Sequence, residues 1–238
     1  MIVRFRTDGR VCGGSLSGER IISGGEIYNL KDVELLSPAT PSKIVCIGLN
    51  YREHANELKM KLPDEPITFL KPPTAVLDPG KEIAYPKSSS QVDYEGELGV
   101  VIGKKCRNVE AKDYAEYILG YTCFNDVTAR DLQKKDGQWT RAKSFDTFAP
   151  FGPWIASIDP LNANIQTRVN GNVRQKSNTS DLIFNVPKLV EFISEIMTLL
   201  PGDVIATGTP PGVGPLQKGD VVEVEIEGIG ILRNSVAL

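Results

Sequence analysis

The 238-residue chain carries 27 Lys and Arg against 30 Asp and Glu, a net charge of −3, with 41% hydrophobic and 24% charged residues. That composition excludes disorder and collagen and offers no basic footprint for a nucleic-acid backbone; the length suits one large domain with or without a small appendage. No apolar run approaches the ~20 residues of a membrane helix, and the alternating start Ile2-Val3-Arg4-Phe5 has no signal-peptide pattern, so a cytoplasmic location with neither membrane nor nucleic-acid partner is expected.

In chain order, Ile2 to Phe5 alternates like a strand, Asp8-Gly9-Arg10 turns, Val11 to Leu16 returns, and Gly24-Gly25 breaks the chain. Ser37-Pro38-Ala39-Thr40-Pro41-Ser42 has the composition of a linker. A small N-terminal domain over 1–42 and a main domain over 43–238 are therefore expected. Lys43 to Leu49 reads as a buried strand, and Tyr51 to Met60 as a short helix or lid ended by Pro63 and Pro66. Further strands are predicted at Ile67 to Leu70, Glu82 to Tyr85, Gly96 to Ile102 and Ile118 to Asn125, and short helices at Ala111 to Tyr117 and Thr128 to Lys135. The second of these helices opens on Thr128-Ala129-Arg130-Asp131, a capping-box pattern.

Ile165 to Lys176, turning at Asn170-Gly171-Asn172, reads as a β-hairpin. Val186 to Leu199 repeats apolar residues at helical spacing, and strands follow at Asp203 to Ala206, Val221 to Ile226 and Gly230 to Val236. Many short strands with few helices point to a mixed α+β fold, mainly β, and away from a doubly wound βαβ fold.

The four cysteines, Cys12, Cys46, Cys106 and Cys123, form no C-x-x-C pair, and reduced thiols are expected. His54 is the single histidine, which excludes any site needing two imidazoles. Glu95 and Glu97, two apart at the start of a strand, send both carboxylates to one face. A solvated face would carry the same pair, but like charges side by side also suit a hard divalent cation, with Asp126 as a third oxygen. His54 and Glu57 share a helix face at i and i+3: either an exposed pair or an imidazole oriented by a carboxylate for proton transfer. Thr207 to Gly214 is a Gly/Pro turn without a phosphate-loop ending, either a structural connection or a presenter of amides and Thr209 to an anion. By composition alone, Lys71 and Lys143 are ordinary surface lysines.

Six segments occur in order: Gly48-Leu49-Asn50-Tyr51-Arg52-Glu53-His54, Phe69-Leu70-Lys71-Pro72, Asp93 to Leu98, Asn125 to Asp131, Lys143-Ser144-Phe145-Asp146 and Thr207-Gly208-Thr209-Pro210. The series resembles the fumarylacetoacetate hydrolase family, in its short acylpyruvase and dienedioate-isomerase branch, over about residues 43 to 238. The resemblance implies a mixed β-sheet roll with few helices, a homodimer, and Mg²⁺ or Mn²⁺ held by Glu95, Glu97 and Asp126. It further implies Lys143 beside the metal, His54 and Glu57 as a catalytic dyad on a lid, and substrate contacts from Lys71, Arg130, Gln133 and Thr209. The implied function is cleavage of the C3–C4 bond of acylpyruvates, or decarboxylation of oxaloacetate, through a metal-stabilised enolate of a 2-oxo acid. The alternatives are an isomerase or tautomerase of 2-hydroxyhepta-2,4-diene-1,7-dioate or oxaloacetate, and a metal-binding protein of the same fold without turnover.

Overall fold

The computed structural model describes residues 1–238. Its main sheet runs, from one edge, Glu26–Asn29, Arg20–Ser23, Arg10–Ser17, Ile2–Thr7, Ala149–Ala156, Ile118–Asn125, Gly96–Ile102, Val204–Ala206, Ile44–Ile47 and Thr68–Lys71. A second sheet runs Asn172–Asn178, Asn164–Val169, Val221–Ile226, Gly230–Val236 and Glu82–Ile83, and a short third one joins Thr128–Ala129, Val92–Tyr94 and Gly214–Pro215. The fold is mixed α+β and dominated by strands, as the sequence pattern predicts. No helix is long and apolar enough to cross a membrane.

The largest core forms where the two big sheets and the helix Val186–Ile196 meet: Leu98, Val100 and Cys123 from the first sheet, Ile165, Val224 and Leu232 from the second, and Val186, Leu189, Val190 and Ile193 from the helix. Asn185 caps that helix by accepting from the Lys188 amide. The helix stops at Ile196, three residues before the predicted end, because Leu199 and Cys106 exchange backbone hydrogen bonds of 3.0 Å and draw the chain out straight. At the predicted hairpin, Asn170 and Gly171 both have positive φ, 51° and 78°, the geometry of a tight two-residue turn whose twist matches its strands.

The N-terminal strands bury their own small cluster, Val3, Phe5, Leu16 and Ile21, and continue the main sheet through the pair Ile2↔Ile155. The strand they join, Ala149–Ala156, was hidden in the sequence by Pro150, Gly152 and Pro153. Prolines argue against an interior strand; here the pairing partner slips register between Tyr121 and Cys123, an irregularity of the kind that accommodates them. All four cysteines are free.

Asp203, fully buried, ties the start of the strand Ile44–Ile47 to the turn before Val204–Ala206. It accepts from the Ser42 amide (2.9 Å) and hydroxyl (2.7 Å), the Lys43 amide (3.2 Å) and the Leu200 amide (2.8 Å), and pairs with the Lys43 ammonium. Burial alone would raise its pKa; Lys43 and the surrounding donors hold it below the usual carboxylate range. Its stabilisation is therefore present above the unfolded value of about 3.9 and lost as pH falls through the lower folded value. Asp203→Ala is expected to destabilise the fold by about 3 kcal/mol, because several donors lose their acceptor together. Urea unfolding measures this, and an unchanged midpoint would refute it.

Candidate active site

The sheet register builds the acidic cluster. Gly96 pairs with Asn125 and Glu97 with Phe124, so Glu95 lies across from Asp126, and the Asp126 amide donates to the Glu95 carbonyl at 2.8 Å. Residues directly opposite share a face, and so do residues two apart. Glu95, Glu97 and Asp126 therefore point the same way, all buried, with ligand oxygens within 4.8 Å of one another. Glu95 sits in the break between Val92–Tyr94 and Gly96–Ile102, one residue outside the regular strand, and the Asn125 side chain caps its amide at 3.0 Å.

Three cations answer these acids. Lys143, at the end of the helix Thr140–Lys143, is 2% exposed and donates to Glu95 Oε2 (2.9 Å) and Asp126 Oδ2 (2.6 Å), with its ammonium 4.9 Å from the centre of the Phe69 ring. Lys71, completely buried, donates to Asp126 Oδ1 and to the Val127 carbonyl (3.0 Å). Arg130 bonds Asp93 Oδ2 (2.8 Å), Glu95 Oε1 and Gln133 Oε1 (2.6 Å). The expected cap at Thr128 does not form. Its hydroxyl bonds Glu95 Oε1 (3.1 Å) and the Asp126 carbonyl instead, and the helix Arg130–Asp136 starts without a side-chain cap.

A cavity of about 340 Å³ reaches this cluster at Glu95 and Lys143 and is also lined by His54, Arg130, Gln133 and Thr209 among the expected residues, while Glu97 and Asp126 lie outside its lining. Glu57 orients His54 Nδ1 at 2.8 Å from the short helix Arg52–Glu57 and also accepts from the Gly212 amide at 3.2 Å. Lys71 does not line this cavity: it lies behind the carboxylates and braces Asp126. Since Gln133 Oε1 accepts from Arg130, the Gln133 amide group keeps its N–H donors for the cavity.

The turn Thr207 to Gly214 serves three clients. The Gly208 amide donates to Glu97 Oε2 at 2.8 Å, and the Thr209 hydroxyl donates to the Gly96 carbonyl at 2.9 Å. Gly212 reaches Glu57 as described. Gly208 has φ +100°, and an added Cβ would stand 2.7 Å from the Asn50 Cβ, so no other residue fits without displacing that amide. Thr209 lines the cavity, and with its hydroxyl engaged it keeps a backbone N–H that bonds nothing else.

Sequence reasoning missed Gln175, Asp93 and Trp139. Gln175, fully buried in the hairpin, accepts from the Gly96 amide (3.0 Å) and donates to the Thr209 hydroxyl (2.7 Å) and the Pro210 carbonyl (2.8 Å), so it sets the turn against the acidic strand. Asp93 was passed over although it sits two residues before Glu95, and Trp139 walls the cavity edge-on to Phe69.

Burial pushes the Glu95 carboxyl up, but Lys143 and Arg130 outweigh it and hold it at about 2. Glu97 goes the other way: burial, then repulsion from Asp126 and Glu95, raises it well above the usual range against the weaker pull of Lys143 and the Gly208 amide. Lys143 is lowered by burial and raised further by Asp126 and Glu95, so it stays charged. Four acids, Asp93, Glu95, Glu97 and Asp126, thus face three bases, Lys71, Arg130 and Lys143, leaving Glu97 without a countercharge. Closely set carboxylate oxygens with spare lone pairs and one uncompensated negative charge fit a hard divalent cation such as Mg²⁺ or Mn²⁺.

Residues 43–237 match the family described as fumarylacetoacetate (FAA) hydrolase, C-terminal. The chain belongs to the fumarylacetoacetate hydrolase family. An uncharacterized protein of Archaeoglobus fulgidus is 62% identical over 99% of this chain and 95% of its own length. The mitochondrial oxaloacetate tautomerase Fahd2a of Rattus norvegicus is 43% identical over 86% of this chain and 69% of its own. Among solved structures, 5-carboxymethyl-2-hydroxymuconate delta-isomerase from Mycobacterium smegmatis superposes with a TM-score of 0.94 at 47% identity, over 99% of this chain and 98% of that one. Maleylpyruvate hydrolase from Sphingobium sp. SYK-6, in complex with manganese (II) ion and pyruvate, superposes with a TM-score of 0.85 at 30% identity over the same shares, 99% and 98%. The family's β-sheet roll is thus present in this chain, with an acidic triad able to coordinate a metal and relatives that include isomerases, tautomerases and hydrolases.

Proposed function

We propose that this protein is a divalent-metal-dependent isomerase or tautomerase of 2-oxo acids, acting on a 2-hydroxy-dienedioate or on oxaloacetate. One observation carries the reading: His54, oriented by Glu57, lines the same cavity as Glu95, Lys143 and Thr209. Such an arrangement can move a proton beside a site that tolerates negative charge. The isomerase and tautomerase relatives, at 47% and 43% identity, favour this reading over the cleavage or decarboxylation that the resemblance put first; hydrolases stand at 35% and 30%.

Glu95, Glu97 and Asp126 would hold Mg²⁺ or Mn²⁺, which when bound supplies Lewis-acid stabilisation of negative charge on the substrate's 2-oxygen. The Thr209 amide donates to the substrate carboxylate, and the Lys143 ammonium adds positive charge beside the 2-oxygen. His54 takes the proton from the 2-hydroxyl or from the carbon next to the carbonyl and returns it elsewhere on the conjugated unit. The C–H and O–H electron pairs stay on the substrate, so no water or co-reactant is consumed. Glu57 keeps the Nδ1 proton in place, leaving Nε2 to take and return the substrate proton. Lys71 keeps Asp126 in register, and Arg130 fixes both Glu95 and Gln133.

Product analysis by proton NMR in D₂O tests this, with Mg²⁺-loaded protein and a panel of oxaloacetate, a 2-hydroxy-dienedioate and acetylpyruvate. Accelerated keto–enol exchange or double-bond migration without pyruvate release is expected, lost in His54→Ala. Cleavage has one feature in its favour, since an oriented imidazole also suits activation of a water. Pyruvate formed from acetylpyruvate as fast as exchange occurs would transfer the assignment to carbon–carbon hydrolysis. Metal uptake with no chemistry on any of the panel would leave a binding protein. We also propose a homodimer; the main sheet ends in the edge strand Thr68–Lys71, in which Leu70 is exposed, as is Ile67 just before it.

A further inference from the structure

This inference rests on the 2-oxo acid reading and concerns the end of the cavity away from the carboxylates. The cations facing the cavity are mostly engaged, Lys143 with Glu95 and Asp126 and Arg130 with Asp93, Glu95 and Gln133, and the His54 imidazole is held by Glu57. Lys134 also lines the cavity, and its ammonium makes no hydrogen bond or ion pair. Its acidic helix neighbours are taken, Asp131 by Ser89 and Ser90 and Asp136 by Arg141. Lys134 stands one turn beyond Arg130 on the helix Arg130–Asp136, about 6 Å farther along its axis.

Apolar side chains, including Leu58, Met60, Phe69 and Trp139, line the same cavity. The cavity thus combines an acidic and cationic head site, apolar wall and an uncommitted cation. We propose that Lys134 determines specificity by receiving the far carboxylate of a six- or seven-carbon 2-oxo dioate whose hydrocarbon middle lies along the apolar wall. Oxaloacetate, with four carbons, leaves that wall uncovered and its second carboxylate short of Lys134. Gln133, whose free amide donors precede Lys134 by one residue, is placed to share the far carboxylate.

Binding to Mg²⁺-loaded protein of two saturated probes, which have no double bond to migrate and undergo no net conversion, tests this by calorimetry. 2-Oxoheptanedioate carries the far carboxylate, and 2-oxoheptanoate has the same chain without it. The wild type is expected to prefer the dioate about fivefold, the range of a partly exposed ion pair. Lys134→Met collapses the difference between the two probes, and Lys134→Arg restores it. A wild type that binds both acids equally would overturn the proposal and leave the 2-oxo acid reading standing. So would a preference that survives in Lys134→Met, or equal losses for both probes in that variant. Failure of both acids to bind the wild type would remove the 2-oxo acid reading together with this inference.

Discussion

Glu97→Gln is expected to weaken Mn²⁺ binding on the order of a hundredfold, with little loss of stability in the metal-free protein. Glu97 is 1% exposed and has one hydrogen-bond donor, the Gly208 amide at 2.8 Å. Burial and the charges of Asp126 and Glu95 make its ionised form costly, so in the absence of metal it keeps its proton to higher pH than a free glutamate. Glutamine copies that neutral form in shape and acceptor, but it removes a charged ligand from the loaded state. The folded, metal-free protein binds more protons here than the unfolded chain. Its stability therefore falls as pH rises from the unfolded value, about 4.3, through the higher folded one. Glu97→Gln flattens that slope. Calorimetric Mn²⁺ titration and chelator-treated melting curves between pH 4 and pH 9 measure both effects; unchanged Mn²⁺ affinity would exclude Glu97 as a ligand.

Lys143→Met is expected to lower turnover by about 10² to 10³ at saturating metal, while metal affinity changes far less. The lysine is 2% exposed and bridges Glu95 and Asp126, which keeps it charged in spite of burial. In the metal-free protein its removal takes away one of the two cations on each of two buried carboxylates, leaving Glu95 with Arg130 and Asp126 with Lys71, a loss of about 3 kcal/mol that bound metal largely restores. Turnover does not recover in the same way, because the positive charge beside the developing oxyanion is gone. Steady-state kinetics against metal concentration separate the two. Equal losses in turnover and metal affinity would mean that Lys143 acts chiefly as a brace for the acids.

Strand periodicity made much of this legible. Gly96–Ile102, Ile118–Asn125, Val221–Ile226 and Gly230–Val236 fall where alternation and turn residues predict them, and period two brings Glu95 and Glu97 to one face. The approach of Asp126 is a different kind of fact. It depends on the register Gly96↔Asn125 between strands separated by a long connection, which local pattern does not encode and which the ordered motifs supplied only by resemblance. Gln175 was invisible for a related reason. Within its hairpin it looks like any alternating polar residue, and only sheet packing turns its amide toward Gly96 and Thr209. Thr128 misled because a hydroxyl that suits a helix cap suits a carboxylate equally well, and the nearby Glu95 prevailed.

The segment 61–66, beyond the helix Arg52–Glu57, makes no hydrogen bond with the rest of the chain, whereas Leu58 and Met60 just before it line the cavity. Glu57, by contrast, is pinned through Gly212 to the same turn that holds Glu97. Insertions, deletions or substitutions in this stretch can therefore reshape the cavity wall without disturbing the Glu57–Gly212 and Glu97–Gly208 contacts. Descendants of such a chain could acquire new substrates by altering this free stretch while inheriting the buried charges unchanged.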